Sequence, residues 1–151
     1  MSDTVRGTMY EFAGGADAFH RLAEAQYRRC REDPVLVAVF GADEQPGHAE
    51  RLGAWLAEVF GGPKTYSERY GGHEAMVRHH LGREIGEAQA ARFVEVTMAA
   101  ADEVGLPDDG TFRDRLRGYL EWGAKLAVHF SRPGAKVPPG APVPAWDWNR
   151  P

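Results

Sequence analysis

Cysteine is almost missing from this chain: Cys30 is the single cysteine among 151 residues. A disulfide needs two cysteines, and iron–sulfur and cysteine-rich zinc sites need several thiolates. The sequence therefore excludes an internal disulfide framework and cysteine-based metal sites. Any metal centre must use histidine or carboxylate ligands, or enter the protein inside a cofactor.

Long apolar runs and an excess of basic residues are missing as well. No apolar run approaches the roughly 20 residues that cross a bilayer, and the first seven residues lack the apolar stretch of a secretory signal. The formal net charge is −4, and there is no long stripe of lysine and arginine. We therefore expect a cytoplasmic protein without nucleic-acid or membrane partners.

Several motifs of common enzyme classes are also absent. The sequence has no Walker motif, no dinucleotide-binding fingerprint and no Gly-x-Ser-x-Gly elbow. Hydrophobic residues make up 43% and charged residues 26% of the chain, which is close to the average of soluble globular proteins. A chain of this length fits one domain with a sizeable core.

Apolar residues recur at helical spacing along most of the chain. Glycine and proline separate the periodic segments, and no alternating strand pattern competes with them. The run from Val35 to Phe40 is too apolar to be exposed, and a short strand is the alternative for it. The segment that contains Tyr66 and Tyr70 is expected to be a loop. The fold class is therefore all-α, with helices predicted over 16–31, 35–40, 46–60, 74–80, 87–104 and 111–130.

The C-terminal segment has a different composition. Six of the ten prolines lie between Ser131 and Pro151. We predict a domain over 1–131 and an extended tail over 132–151. Because Trp146 and Trp148 are costly to leave in water, the tail either docks on its own domain or on a second subunit, or else it is an ordinary flexible tail.

Three polar aromatic or imidazole side chains are candidates for a ligand pocket. His80 lies in the segment from Glu74 to Ile85 and could bind a metal through a neutral imidazole. His48 and Leu52 are four residues apart and share a helix face, and Tyr27 lies on the inner stripe of its helix. A phenol O–H or imidazole N–H in a dry site stabilises a ligand with partial negative charge by roughly 1–3 kcal/mol.

Several motifs, in this order, resemble the truncated haemoglobins, and more narrowly their group II. The resemblance covers roughly Tyr10 to Ser131. It is carried by Tyr10-Glu11-Phe12-Ala13-Gly14-Gly15, by Tyr27 with Phe40 thirteen residues later, by Trp55-Leu56-Ala57-Glu58-Val59-Phe60-Gly61-Gly62-Pro63, by the Tyr66 loop, by Gly71-Gly72-His73, by Arg78-His79-His80 and by Tyr119-Leu120-Glu121-Trp122.

The resemblance implies a two-over-two helical globin that binds haem b. His80 would be the proximal ligand of the iron, and His79, about 100° around the helix, would point elsewhere. Diatomic gases (O₂, NO, CO) would be the ligands, with NO scavenging or peroxidase-like chemistry, a reductase partner and a monomeric or homodimeric state as further expectations. The other residues expected to contact the haem or its ligand are Phe40 on the porphyrin, Tyr27, His48 and Leu52 on the distal side, Ile85, and Lys64, Tyr66 and Arg78 near the propionates.

One position departs from the group II pattern. Counting eight residues from Ile85, where this group usually has a tryptophan, reaches Phe93. The indole N–H donor is therefore missing. We expect Phe93 to keep an apolar wall and to leave ligand stabilisation to Tyr27 and His48, so that O₂ is retained more weakly.

Two other functions are compatible with the sequence. The first is a helical non-haem metal enzyme, although His73, Glu74 and His79 do not have the His-Glu-x-x-His spacing of zinc proteases. The second is a globin-fold module without haem that acts as a sensor or structural protein. The ligands considered for the metal enzyme are His48, Glu50, His73, Glu74, His79 and His80.

Overall fold

The computed structural model describes residues 7–136 and 140–148. Every helix or strand assigned in these two ranges is an α-helix, which confirms the predicted all-α class. None of the described helices is long and apolar enough to span a membrane. The helices are α1 (Met9–Ala13), α2 (Gly15–Glu32), α3 (Val37–Phe40), α4 (His48–Val59), α5 (Thr65–Arg69), α6 (Gly72–His80), α7 (Glu87–Glu103) and α8 (Gly110–Phe130).

The longer helices lie close to their predicted bounds because their apolar stripes and end signals agree. The carboxylate of Asp109 accepts a hydrogen bond of 2.9 Å from the Phe112 N–H and so caps α8. Gly105, with φ at +72°, follows the end of α7. The strand alternative for residues 35–40 is wrong, since this segment contains the short helix α3.

Two one-turn helices were not predicted from the periodicity. Helix α1 begins with a capping box, in which Thr8 and Glu11 bond each other's backbone N–H groups. The Tyr10 N–H also donates to the Phe60 carbonyl at 2.9 Å, which attaches α1 to the end of α4. Helix α5 lies in the segment around Tyr66 that was expected to be a loop. Five residues are too few for a periodic pattern to show.

The four long helices form two packed pairs. Helix α2 packs on α4, helix α7 packs on α8, and the pairs meet where α2 contacts α7. At the α2–α4 crossing, a Cβ added to Gly53 would lie 3.3 Å from the Phe19 carbonyl oxygen, so a glycine permits the close approach. This is the two-over-two arrangement expected from the sequence.

The expectation that the run 35–40 is too apolar to be exposed is wrong for part of it. Leu36 is 1% exposed, but Val35 is 41% exposed. Helix α3 is a single turn at the surface of the domain, so only one side of the run contacts the core. Phe40 lies half-buried on that side.

The described part of the tail docks on its own domain. Trp146 and Trp148 are only 7% and 5% exposed. The backbone N–H of Trp146 donates to the Val59 carbonyl at 2.8 Å, and the indole N–H of Trp148 donates to the Gly7 carbonyl at 2.9 Å. Of the alternatives left open by the sequence, intramolecular docking is the one observed for 140–148. The boundary at residue 131 stays a prediction.

Candidate functional site

A cavity of about 660 Å³ lies between the two helix pairs. Helices α2 to α8 all contribute to its wall, which is mainly apolar. This volume is within the range of about 300–1,000 Å³ that is typical of cofactor and ligand pockets. The described lining contains no aspartate or glutamate, whereas Arg51 and Arg83 lie in it.

Most of the predicted site residues meet in this cavity. Lys64 and Arg78 are exceptions, because neither lines it. Arg78 is exposed, with its guanidinium 3.9 Å from the Glu74 carboxylate. It lies two residues before His80, about 200° around the helix, and so faces away from the cavity. The predicted residues that do line the cavity are Tyr27, Phe40, His48, Leu52, Tyr66, His80, Ile85 and Phe93.

His80 is the last residue of α6 and lies in the cavity wall. Its Nδ1 atom is 2.8 Å from the Met76 carbonyl oxygen. A carbonyl can only accept a hydrogen bond, so Nδ1 carries the proton and Nε2 keeps its lone pair. Burial lowers the pKa of His80, although the Met76 bond opposes the shift. The imidazole is therefore neutral and oriented, as an iron ligand must be.

His79 is exposed and lies at the rim of the same cavity. Burial, followed by Arg51 and Arg83, lowers the pKa of His79. The two adjacent imidazoles thus differ in environment: His80 is half-buried and hydrogen-bonded to its own helix, whereas His79 lies next to solvent. This difference favours His80 over His79 as a candidate ligand of an iron atom.

Tyr27 and His48 form a polar pair elsewhere in the wall. Their rings stack with centroids 4.1 Å apart. The Gln45 N–H donates to the Tyr27 hydroxyl oxygen at 2.8 Å, which leaves the phenol proton available for another acceptor. Burial, followed by the charge of Arg51, lowers the pKa of His48 to about 4. His48 is therefore neutral near pH 7 and can donate a single N–H.

Phe40 and Phe93 supply a parallel aromatic pair. Their ring centroids are 6.3 Å apart and the ring planes differ by 3°. Phe93 carries no hydrogen-bond donor, so the wall at this position is apolar, as the sequence suggested. Phe40 also contacts His48 edge-on at 5.8 Å.

Several lining residues were not predicted from the sequence. Trp55 donates its indole N–H to the Tyr119 hydroxyl at 2.6 Å, and both side chains are buried. Trp55 follows His48 by seven residues, a spacing that keeps both on one helix face and could have indicated its place. No sequence pattern predicts that Arg83 lines the cavity. Arg83 lies in the loop after α6, and its guanidinium donates a hydrogen bond to the Val39 carbonyl at 3.2 Å.

The donor set fits an iron porphyrin. An oriented neutral imidazole lies in a wall that is otherwise apolar and aromatic, which suits the disc of the porphyrin. The two guanidinium groups suit its carboxylates, since arginine pairs bidentately with such groups.

A converging metal-ligand cluster is not found in the part of the chain that the structure describes. No group of three or more histidine, cysteine, aspartate or glutamate side chains could hold a metal ion there. The non-haem metal enzyme considered from the sequence therefore has no candidate site within 7–136 and 140–148.

Comparison with known proteins decides the family. Residues 8–118 match the family model described as bacterial-like globin. The chain belongs to this globin family. It is 30% identical, over 115 residues, to a group 2 truncated haemoglobin of Bacillus subtilis, covering 76% of this chain and 84% of that protein.

Solved globin structures agree with the fold. The haemoglobin of the thermophilic phototrophic bacterium Chloroflexus aurantiacus is 35% identical with a TM-score of 0.68, covering 80% of this chain and 96% of that one. The group II truncated haemoglobin of Bacillus anthracis is 25% identical with a TM-score of 0.72, covering 84% and 95%. These findings confirm the resemblance to group II, and membership of the family implies a haem-binding globin.

Proposed function

We propose that this globin holds haem b through His80 and reversibly binds O₂, NO and CO. The observation that carries the proposal is that the oriented His80 imidazole and the Tyr27–His48 pair line one apolar cavity. When bound, haem supplies an iron centre that takes diatomic gases. The residues around it decide which gas enters and how long it stays.

Each part of the cavity has a distinct task in this proposal. Met76 fixes the orientation of the His80 ring through its carbonyl. The apolar rings of Phe40 and Phe93 exclude water. Arg51 and Arg83 would hold the carboxylates of the cofactor. The Tyr27 phenol, held by the Gln45 N–H, would donate its proton to a ligand that carries partial negative charge.

We also propose a reaction chemistry, a location and an oligomeric state for this globin. NO scavenging and peroxidase-like chemistry would need electrons, for which a reductase partner is proposed. A cytoplasmic location and a monomeric or homodimeric state accompany this proposal. Phe93 offers no hydrogen bond to a bound gas, so weak O₂ retention is expected. None of these properties is needed for the binding of haem itself.

Optical spectroscopy of the purified protein supplied with haem tests the proposal. The wild type should take up one haem per chain and give an intense Soret band that shifts when CO is added to the ferrous form. His80→Gly should lose or strongly alter this spectrum, whereas His79→Gly, the matched control, should keep it. A folded wild type without a stoichiometric haem spectrum would contradict the proposal and favour the haem-free sensor or structural module.

A further inference from the structure

Gln26 is a fully buried polar residue in the wall of the cavity. It directly precedes Tyr27 on α2 and is 0% exposed. Its Oε1 atom has no hydrogen-bond partner within the described residues. A buried acceptor without a partner costs free energy, so a side chain of this kind is expected to have a ligand or an ordered water molecule.

The neighbouring hydrogen bonds fix which way the Gln26 amide points. The Thr97 hydroxyl donates its single proton to the Phe93 carbonyl at 2.8 Å. Thr97 can therefore only accept from Gln26, whose Nε2 lies 3.3 Å from the Thr97 oxygen. The alternative orientation would place two acceptors against each other. The amide oxygen of Gln26 is thus the atom that can accept a hydrogen bond from a molecule in the cavity.

A hydrogen-bond donor lines the same cavity. The Gln45 N–H already bonds the Tyr27 hydroxyl oxygen, so the phenol proton is available. The Gln26 oxygen is an acceptor, so it needs a molecule that carries an O–H or N–H group. The gases O₂, NO and CO have no proton and cannot satisfy the Gln26 oxygen. A water molecule in the cavity can donate a hydrogen bond to Gln26 Oε1.

We propose that Gln26 Oε1 holds a water molecule in the cavity, and that a diatomic gas must displace this water before it binds. The first part concerns the polypeptide alone. The second part rests on the proposed function. Gln26 is thereby a positioning residue that slows the entry of aprotic ligands.

Crystallography of the haem-loaded protein tests the water site directly. The wild type should show an ordered water at hydrogen-bond distance, roughly 2.7–3.2 Å, from Gln26 Oε1. Gln26→Leu should lack this water. Wild-type density without any water there would overturn the proposal. If the protein takes up no haem, the proposed function fails, but crystals of the haem-free protein still test the water site.

Flash photolysis of the CO complex tests the displacement step. Loss of one hydrogen bond to the water should speed CO association about two- to tenfold in Gln26→Leu. Gln26→Met, a second apolar replacement of similar length, should give the same increase. Cys30→Ala is the control, because Cys30 is buried one turn further along α2 and does not line the cavity. Wild-type association rates in both Gln26 variants would contradict the displacement step.

Discussion

Phe93 places a plain aromatic ring at the wall of the cavity, where the resemblance to group II leads one to expect a tryptophan with its N–H donor. The ring lies parallel to Phe40 and close to the buried Gln26–Thr97 pair, whose Thr97 hydroxyl bonds the Phe93 carbonyl. Phe93 therefore fills space and anchors Thr97 through its backbone. Its side chain offers nothing polar to a bound gas, so in the proposed function Tyr27 and His48 would supply the hydrogen bonds.

The contribution of Phe93 can be measured by restoring the donor. Phe93→Trp should slow O₂ dissociation about tenfold, because an indole N–H can then bond the ligand. Stopped-flow displacement of O₂ by CO gives the rate. Phe93→Leu, which changes the volume without adding a donor, is the control. An O₂ dissociation rate in Phe93→Trp equal to that of the wild type would contradict the assignment of roles.

His48 is held in its neutral form by burial. Its pKa is lowered to about 4, from an ordinary value of 6.5. As the pH falls, His48 therefore takes up a proton at a higher pH in the unfolded chain than in the folded protein. The contribution of His48 to the free energy of unfolding is therefore fully present above about pH 6.5 and is lost as the pH falls towards 4.

Replacing His48 should flatten the pH dependence of stability. In the haem-free protein, urea unfolding should show a free energy of unfolding that falls between pH 7 and pH 5. The fall should be smaller in His48→Gln, which cannot be protonated there. His20→Gln is the control, since His20 is exposed. Identical pH slopes for the wild type and His48→Gln would show that His48 is not buried as described.

At the scale of the helices, length decided what the sequence could predict. The long helices repeat an apolar stripe over several turns, so α2, α7 and α8 were predicted close to their observed bounds. Helices α1 and α5 have one turn each and depend on tertiary contacts, such as the bond from Tyr10 to Phe60. The Thr8–Glu11 capping box was the local signal for α1.

Trp146 is one of the two tryptophans that hold the tail on the domain. Its ring contacts Tyr119 edge-on with centroids 5.5 Å apart, and the Arg115 guanidinium lies 4.8 Å from its centroid. Tyr119 in turn accepts the hydrogen bond of Trp55 in the cavity wall. Pro144, two residues before Trp146, also lines the cavity. The tail thus supports the wall on the α8 side.

Removal of the Trp146 ring should destabilise the whole domain. Trp146→Ala should lower the free energy of unfolding by about 3 kcal/mol, measured by urea denaturation, because a buried indole is lost. Trp122→Ala is the comparison: its ring contacts Trp146 with centroids 6.1 Å apart, but Trp122 is 40% exposed and its loss should cost much less. Equal losses in the two variants would mean that the tail does not dock through Trp146.

At the scale of the whole molecule, the charge of the cavity opposes the charge of the protein. The chain has a net charge of −4, yet Arg51 and Arg83 line the cavity and no described carboxylate does.

Helical spacing predicted that His48 and Leu52 share a face. It could not predict Arg83, whose place depends on the loop after α6 and on its bond to Val39. The sequence suggests Arg78 as a contact of the propionates, but Arg78 does not line the cavity. Its proximity to His80 in the sequence does not show which side of the helix faces the cavity.

The most direct test of the account is resonance Raman spectroscopy of the ferrous, ligand-free protein loaded with haem. The wild type should show an iron–histidine stretching band. The band should be absent in His80→Gly, should return when imidazole is added, and should persist in His79→Gly. A band that survives in His80→Gly without added imidazole would contradict the central claim that His80 is the ligand of the iron.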